Sequence, residues 1–398
     1  MTASTSVLRA FSSFSIAEIL TPPILKGFYD MESLQPLSQY KTNTHKGTPP
    51  IRILSLFSGC GGLDLGFTGG FDFLGQHYER FNTEIVFADD ILKPACTCYE
   101  YNFKHSICSK SICDLNYDDL PNTQVDLIIG SCPCQPFSYA GKRKGLNDPR
   151  GMLYLDLIRI IRHYRPYMFV SENVDGIRNS RTGDKDKIDD FALNRVIQAF
   201  NEAGYNTTYK VLLASDYGVP QMRRRVFIIG IRKDIGTIDD IKYPSPTHSK
   251  YGDDGHYEWI TAYDAIDDLW NKLGQTAIPN HTVRDVSKAK FYEGKKMQGN
   301  NAINPNTPSP TIRAEHHGNI EAHYRNVNGE IGMQDMSKWR RLSVRECARL
   351  QSFPDDYDFC VSASSAYKVI GNAVPPVLAW HIAKEVLDKI EKIKERGL

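Results

Sequence analysis

Two side chains in this sequence have the types and settings needed to do chemistry together. The stretch IIGSCPCQPFS, residues 128–138, ends an apolar run and places Cys134 between Pro133 and Pro136. The prolines restrict the backbone and so fix the direction of the thiol. A buried structural cysteine is the common fate of a free thiol. A nucleophile is the other reading, and it requires nearby cations or a helix N-terminus to favour the thiolate. GKRKG at 141–145, Arg150 and the triplet Arg223–Arg224–Arg225 can supply those cations. A second strand-like stretch, YMFVSENV, carries Glu172 to the carboxyl edge of the same sheet. No histidine ends another strand, which disfavours a protease-like cysteine–histidine pair. Thiol and carboxyl together fit attack on an electron-poor heterocycle assisted by protonation.

Such groups need a scaffold, and the pattern from Ile51 onward supplies one. IRILSLF, EIVFADD, VDLIIGSC and YMFVSEN read as strands, and ILKPACTCYEYNF as the helix after the second of them. Leu153, Leu157, Ile160, Ile161 and Tyr164 fall on one helical face that ends before Pro166. TYKVLLA and RRVFIIGIR read as two further strands able to pair as a hairpin. This alternation predicts an α/β fold with a doubly wound, mostly parallel sheet. Periodicity fades past about Lys233, where acidic stretches such as GDDG and DAIDDL are expected to face solvent. Order returns with a Ser-x-x-Glu capping box at Ser343 and Glu346. Leu378, Ile382, Val386 and Ile390 then recur every fourth residue, on a helix expected to dock on the main domain.

The first strand runs into LFSGCGGLDLGF, a glycine-rich turn that lets backbone approach a ligand. It lacks the Lys-Ser/Thr of a phosphate-gripping loop and does not match G-x-G-x-x-G. Asp90 ends the next strand, where a carboxylate can accept from both hydroxyls of a ribose. Asp114 in SICDL is placed to accept from an adenine amino group. Taken singly, either aspartate reads as a helix cap or a solvated loop residue. Turn, acid and acid in succession read as a nucleoside-binding edge.

Composition narrows the class. With 398 residues the chain can build a large domain and a smaller one. Forty-eight basic residues nearly cancel 47 acidic ones, so any nucleic-acid surface must arise from local segregation of charge. No apolar run reaches the length of a membrane span. The odd count of nine cysteines, without a disulfide-like framework, points to a reducing, cytoplasmic setting. The pairs Cys96/Cys98 and Cys132/Cys134 lack the spacing of a zinc site. The expected organisation is an N-terminal extension over 1–50, a catalytic and cofactor domain over 51–235, an irregular module over 236–340 and a return over 341–398. MTASTSVLRAFSSFS is too weakly basic for a targeting segment and reads as a plain arm.

In order, across nearly all of residues 51–398, these stretches resemble the DNA cytosine-5 methyltransferases. FSGCGG is similar to the family's cofactor turn, PCQ followed by FS to its nucleophile loop, ENV to its carboxylate motif and QMRRR to its Q-x-R-x-R. RRLSVRECARLQSFPDDY and YKVIGNAVPP resemble the two closing motifs. The resemblance implies S-adenosylmethionine as cofactor and double-stranded DNA as substrate, with no metal. Matched residue by residue, Phe57, Ser58, Gly59, Gly61 and Gly62 hold the cofactor's amino-acid part. Asp90 binds its ribose, Ile91 packs on the adenine, and Asp114 takes the adenine amino group with Leu115 beside it. Pro133, Leu153, Asn372 and Val374 complete the pocket. Ser55 departs from the pattern, because many relatives carry an acid there, and Ile91 replaces a position that is often aromatic.

The same matching makes Cys134 the nucleophile toward C6 of cytosine and places Glu172 at N3, protonated or sharing a proton in a partly buried site. Arg225, with Arg223, is expected to steady the ring's O2 or the Cys134 loop. A duplex hides C6, so the base must leave the stack. The basic loop SYAGKRKGLNDPRG reads as a lid, with Gln135, Ser138, Lys142 and Arg143 toward DNA. The 236–340 module occupies the place of target recognition, where Thr311 is expected to touch a phosphate. Arg313, His316, His317 and Arg325 are groove or phosphate candidates. Rival readings are an RNA methyltransferase, whose Cys-Phe-Thr signature is missing here, and a catalytically silent DNA-binding relative. A monomer is expected, with a restriction endonuclease acting on the same site as a possible companion.

Overall fold

Apolar residues that alternate along each strand send one set of side chains to each face of a central sheet. The structure, a computed structural model, describes residues 49–132, 152–180, 191–286, 303–314 and 339–397, with 324–326 and 339 as backbone only. The strands are β1 (Ile51–Leu56), a small hairpin β2 (Phe71–Phe73) and β3 (Gln76–Tyr78), β4 (Thr83–Ala88), β5 (Leu127–Ser131), β6 (Met168–Val174), β7 (Tyr205–Leu213), β8 (Gln221–Met222) and β9 (Arg224–Arg232). Short strands β10 (His248–Ser249), β11 (Tyr257–Glu258), β12 (Ser309–Pro310), β13 (Tyr324–Asn326) and β14 (Trp339–Arg341) follow. The helices are α1 (Gly62–Thr68), α2 (Lys93–Phe103), α3 (Tyr154–Tyr164), α4 (Ala192–Glu202), α5 (Ala262–Trp270), α6 (Val344–Leu350), α7 (Ala363–Asn372) and α8 (Pro376–Glu395).

The main sheet has six strands in the order β4-β1-β5-β6-β9-β7. Strands β4, β1, β5 and β6 run parallel, and β9 runs against both β6 and β7. Ile53, Leu127, Ile129, Val170 and Ile229 face one layer, filled by Leu63 and Phe67 of α1 and by Leu378, Ile382, Val386 and Ile390 of α8. Leu54, Ile128, Phe169 and Ile228 face the other, filled by α3 and α4 through Leu157, Ile161, Val196 and Phe200. This is the α/β arrangement with a mostly parallel sheet that the alternation predicts, and the β7–β9 hairpin is present.

Among the elements unread in the sequence are the β2–β3 hairpin, α4 and α5. The third corrects an expectation. GDDG does expose Asp253 and Asp254, and DAIDDL exposes Asp264 and Asp268. Yet Ala265, Ile266 and Leu269 are buried, and α5 packs against α6. The stretch is an amphipathic helix, started by a capping box between Thr261 and Asp264. No described helix is long and apolar enough to cross a membrane.

Where α1 crosses α8, the two backbones meet at Gly66. A Cβ there would lie 2.3 Å from the Ala379 Cβ and 2.7 Å from the Trp380 amide nitrogen. Backbone cannot yield as a flexible side chain does, so Gly66→Val should lower unfolding stability by about 3 kcal/mol. Urea unfolding reads this directly, and an unchanged midpoint would mean the two helices can part at no cost.

Candidate active site

Strand register brings the first charged pair together. Glu172 of β6 lies opposite Phe227 of β9, and Arg225 is two residues away on the same face of β9. Arg225 Nε donates to Glu172 Oε1 at 2.8 Å, with both side chains nearly buried. On the other side of β6, Ser131 at the end of β5 is opposite Glu172. The chain therefore leaves β5 toward Cys134 from a point beside this carboxylate. Pro133, Cys134, Gln135, Ser138, Lys142 and Arg143 lie outside the described residues, as do His316 and His317. Of Arg325 only the backbone is described. Cys132 is buried, and burial pushes its thiol up to about 12. It is a neutral, packed thiol at physiological pH.

Arg223 lies deeper than Arg225. Its side chain is 1% exposed, and its guanidinium donates to the carbonyls of Ile312 at 2.9 Å, Gly371 at 3.0 Å and Ala373 at 2.9 Å. A guanidinium that serves three backbone carbonyls is a clamp on the framework of the site. Gln221 works beside it, accepting from Ile312 N at 3.0 Å and donating to Leu350 O at 2.9 Å and to Gln351 Oε1. β12 pairs with β8, which seats Thr311 next to the Q-x-R-x-R segment, its hydroxyl donating to Met222 O at 2.8 Å. Arg313 is exposed just beyond. Thr311 is thereby held against the strand β8.

The glycine turn is tied to the end of β4 by acids. Phe57 takes a left-handed φ of +54°, and its N–H donates to Asp89 Oδ1 at 3.1 Å. A bulky residue held in that region stores strain, which functional turns tolerate when their surroundings enforce it. Ser58 N–H donates to Asp89 O, and Gly61 N–H closes the turn onto Ser58 O. Asp90 accepts from Gly59 N at 2.9 Å and Leu92 N at 2.7 Å, which leaves half of its lone-pair sites for a ligand. A Cβ at Gly59 would meet nothing within 4 Å, whereas one at Gly62 would come 2.3 Å from Val374 O. The turn is open outward and packed inward. Ile91, beside Asp90, is an apolar side chain left 68% exposed.

The remaining expected pocket residues divide. Asp114 is exposed in a short 3-10 turn, Asn372 is exposed at the end of α7, and Leu153 is half-buried at the start of α3. Leu115 and Val374 bury their side chains in the two cores.

Two acids beneath the turn had no place in the sequence reading. Burial pushes the Asp64 carboxyl up to about 6 and the Asp89 carboxyl up to about 8, against the hydrogen bonds they accept. Asp90 is also raised, again by burial. Their neighbours are hydroxyls, backbone amides and one another, and none forms an ion pair among the described residues. The available signal was an acid in an otherwise apolar LDLGF, on the buried face of a helix.

Comparison with known proteins agrees with this geometry. A sequence model of the family described as C-5 cytosine-specific DNA methylase matches residues 51–388. Type II methyltransferase M.FnuDI of Fusobacterium nucleatum is 36% identical, over 87% of this chain and 97% of its own length. Type II methyltransferase M.BsuRI of Bacillus subtilis is 35% identical, over 85% and 80%. Among solved structures, the Entamoeba histolytica methyltransferase EhMeth shares the fold with a TM-score of 0.63 at 16% identity, covering 86% of this chain and 99% of that one. The chain therefore belongs to the C-5 cytosine-specific DNA methylases and is a DNA cytosine-5 methyltransferase.

Proposed function

We propose that this enzyme transfers a methyl group from S-adenosylmethionine to C5 of a cytosine flipped out of a short, specific double-stranded DNA sequence. The observation that carries this reading is the buried Glu172–Arg225 pair set beside the end of β5. Cys134 is three residues past Ser131, so covalent geometry alone keeps its Cα within about 10 Å of that strand end. Cys132 is buried with a strongly raised thiol, which leaves Cys134 as the reactive member of the Cys-Pro-Cys run.

C5 of cytosine is a poor nucleophile. Addition of the Cys134 thiolate at C6 forms an S–C6 bond and moves the ring's electron pair to C5, which becomes enamine-like. Glu172 is the group that hydrogen-bonds N3 and assists its protonation as this charge develops. Its partner Arg225 donates to one carboxyl oxygen at 2.8 Å and so fixes the orientation of the group. Once C5 carries the methyl group, its proton leaves to a base and the S–C6 pair returns to sulfur, releasing Cys134. No metal is required for any of these transfers.

The residues of the turn suit the proposed cofactor. Open space outside Gly59, an exposed apolar Ile91 and the spare acceptor sites of Asp90 match an adenosine, and Asp64 and Asp90, which form no ion pair among the described residues, match a cation. When bound, S-adenosylmethionine supplies an electrophilic methyl on a sulfonium centre. Residues 236–340 are proposed as the target-recognition region, with Thr311 and Arg313 on its DNA side and Lys142 and Arg143 in a lid. By likeness to its relatives we read the enzyme as a cytoplasmic, monomeric Type II modification methyltransferase, with a companion endonuclease that makes no stable complex. Bisulfite sequencing of DNA from cells expressing the protein tests the reading and gives the methylated context; methylation confined to RNA would favour the RNA rival.

Cys134→Ser should abolish methylation and covalent trapping on 5-fluorocytosine DNA, whereas Cys132→Ser should keep both. Glu172→Gln should cut the rate about 10²- to 10⁴-fold with DNA affinity little changed. Methyl transfer and gel-shift assays separate these effects, and a fully active Cys134→Ser protein would sink the mechanism.

The acids predict a pH dependence as well. Asp64 and Asp89 bind protons more tightly folded than unfolded, where the ordinary value is 3.8. Their contribution to stability is whole below about 3.8 and is lost as pH rises through about 6 and about 8. Asp89→Asn should flatten the decline in melting temperature across that window in the donor-free protein. A decline of equal slope in the variant would remove Asp89 as its source.

A further inference from the structure

A line of hydrogen bonds runs beneath the glycine turn and plays no part in the chemistry at C6. Asp64 is fully buried on α1. Its Oδ1 accepts from Tyr99 OH at 2.9 Å and its Oδ2 from Ser55 Oγ at 3.0 Å. Ser55 Oγ lies 2.8 Å from Ser58 Oγ. Tyr99 is itself buried and stacked on Phe103, so the carboxylate is held from both sides.

Each serine hydroxyl has one proton to give. An ionised carboxylate only accepts, so Ser55 spends its proton on Asp64 and can only accept from Ser58. Ser58 in turn spends its proton on Ser55. What Ser58 Oγ offers any further partner is lone pairs alone. The amide and carbonyl of Ser58 are already engaged with Asp89 O and Gly61 N–H. The Asp64 carboxyl, at about 6, is largely ionised at neutral pH.

We propose that Asp64 is a positioning residue for the methyl donor: acting through Ser55, it makes Ser58 Oγ an obligate acceptor that selects the donor's α-ammonium group. This rests on the reading of the turn as the site of the donor's amino-acid end. An ammonium group brings only protons, and it meets an acceptor backed by a buried negative charge, a charge-assisted arrangement. A carboxylate in the same place would face lone pairs and be rejected. Asp64→Asn can reverse the line, because its amide N–H then donates to Ser55 and Ser58 is left with a proton pointing outward.

The test is calorimetric binding, without DNA, of S-adenosylmethionine and of its analogue lacking the α-amino group. Asp64→Asn should weaken S-adenosylmethionine about 10-fold and leave the des-amino analogue within about two-fold. Ser58→Ala should show the same selective loss, and it carries the test if Asp64→Asn does not fold. Equal weakening of both ligands would assign Asp64 a packing role only, and no weakening of either would remove it from donor binding; both overturn the proposal. If the wild-type protein binds the des-amino analogue as tightly as S-adenosylmethionine, the ammonium contact is refuted while the donor assignment stands. If it binds neither, the donor assignment itself fails.

Discussion

A nearly buried carboxylate and a nearly buried guanidinium must meet, or each bears an uncompensated desolvation cost of several kcal/mol. Glu172 and Arg225 satisfy that constraint across two neighbouring strands, and the sheet is built so that they can. Had β9 joined parallel to β6, its register would no longer set Arg225 diagonal to Glu172. The single reversed strand in an otherwise parallel sheet thus has a chemical consequence: it delivers the cation to the carboxyl edge, where parallel sheets place their ligands. A pair of this kind is weak support for stability, since an apolar pair of similar volume packs as well. Its value lies in holding one oxygen of Glu172 in a fixed place at the sheet edge.

The edge is extended by a second buried network. Arg223 and Gln221 bind the 309–314 segment to the last turn of α7 and to the end of α6, through carbonyls of Ile312, Gly371, Ala373 and Leu350. Residues far apart in sequence are therefore one mechanical unit: the segment that carries Thr311 and Arg313, and the Asn372–Val374 stretch that packs on Gly62. Arginine suits this role because its planar fork can serve several carbonyls at once and keeps its charge when buried. The first and last arginines of Arg223–Arg224–Arg225 thus have distinct tasks, one in the framework and one at the ion pair.

Much of this was legible in the sequence, for physical reasons that differ by element. The strands and α8 announce themselves because burial imposes a period of two or of about four, and Leu378, Ile382, Val386 and Ile390 keep that period without interruption. The ends of β4, β5 and β6 could be read for the same reason, and with them Asp90 and Glu172. In α5 the aspartates at 264, 267 and 268 mask an amphipathic pattern in which Ala265, Ile266 and Leu269 bury one face. Arg223 and Arg225 could not be told apart, since both belong to one arginine triplet and only the packing shows that Arg223, between β8 and β9, is covered. Asp64 was invisible for the opposite reason: a buried acid matches no amphipathic pattern, and its partners Ser55 and Tyr99 are remote or bland in sequence.

The buried acids of the glycine turn set a second constraint on the fold. Asp64, Asp89 and Asp90 hold raised proton affinities because burial penalises their charge and each worsens the position of the next. A protein fold normally removes such a cost by bringing in a lysine or arginine, as Arg349 does for Asp355 and Asp268 in the C-terminal segment. Here the acids are left to hydroxyls and amides. The fold therefore carries this desolvation cost with no ion pair among the described residues to relieve it, and the stability that it removes grows as pH rises.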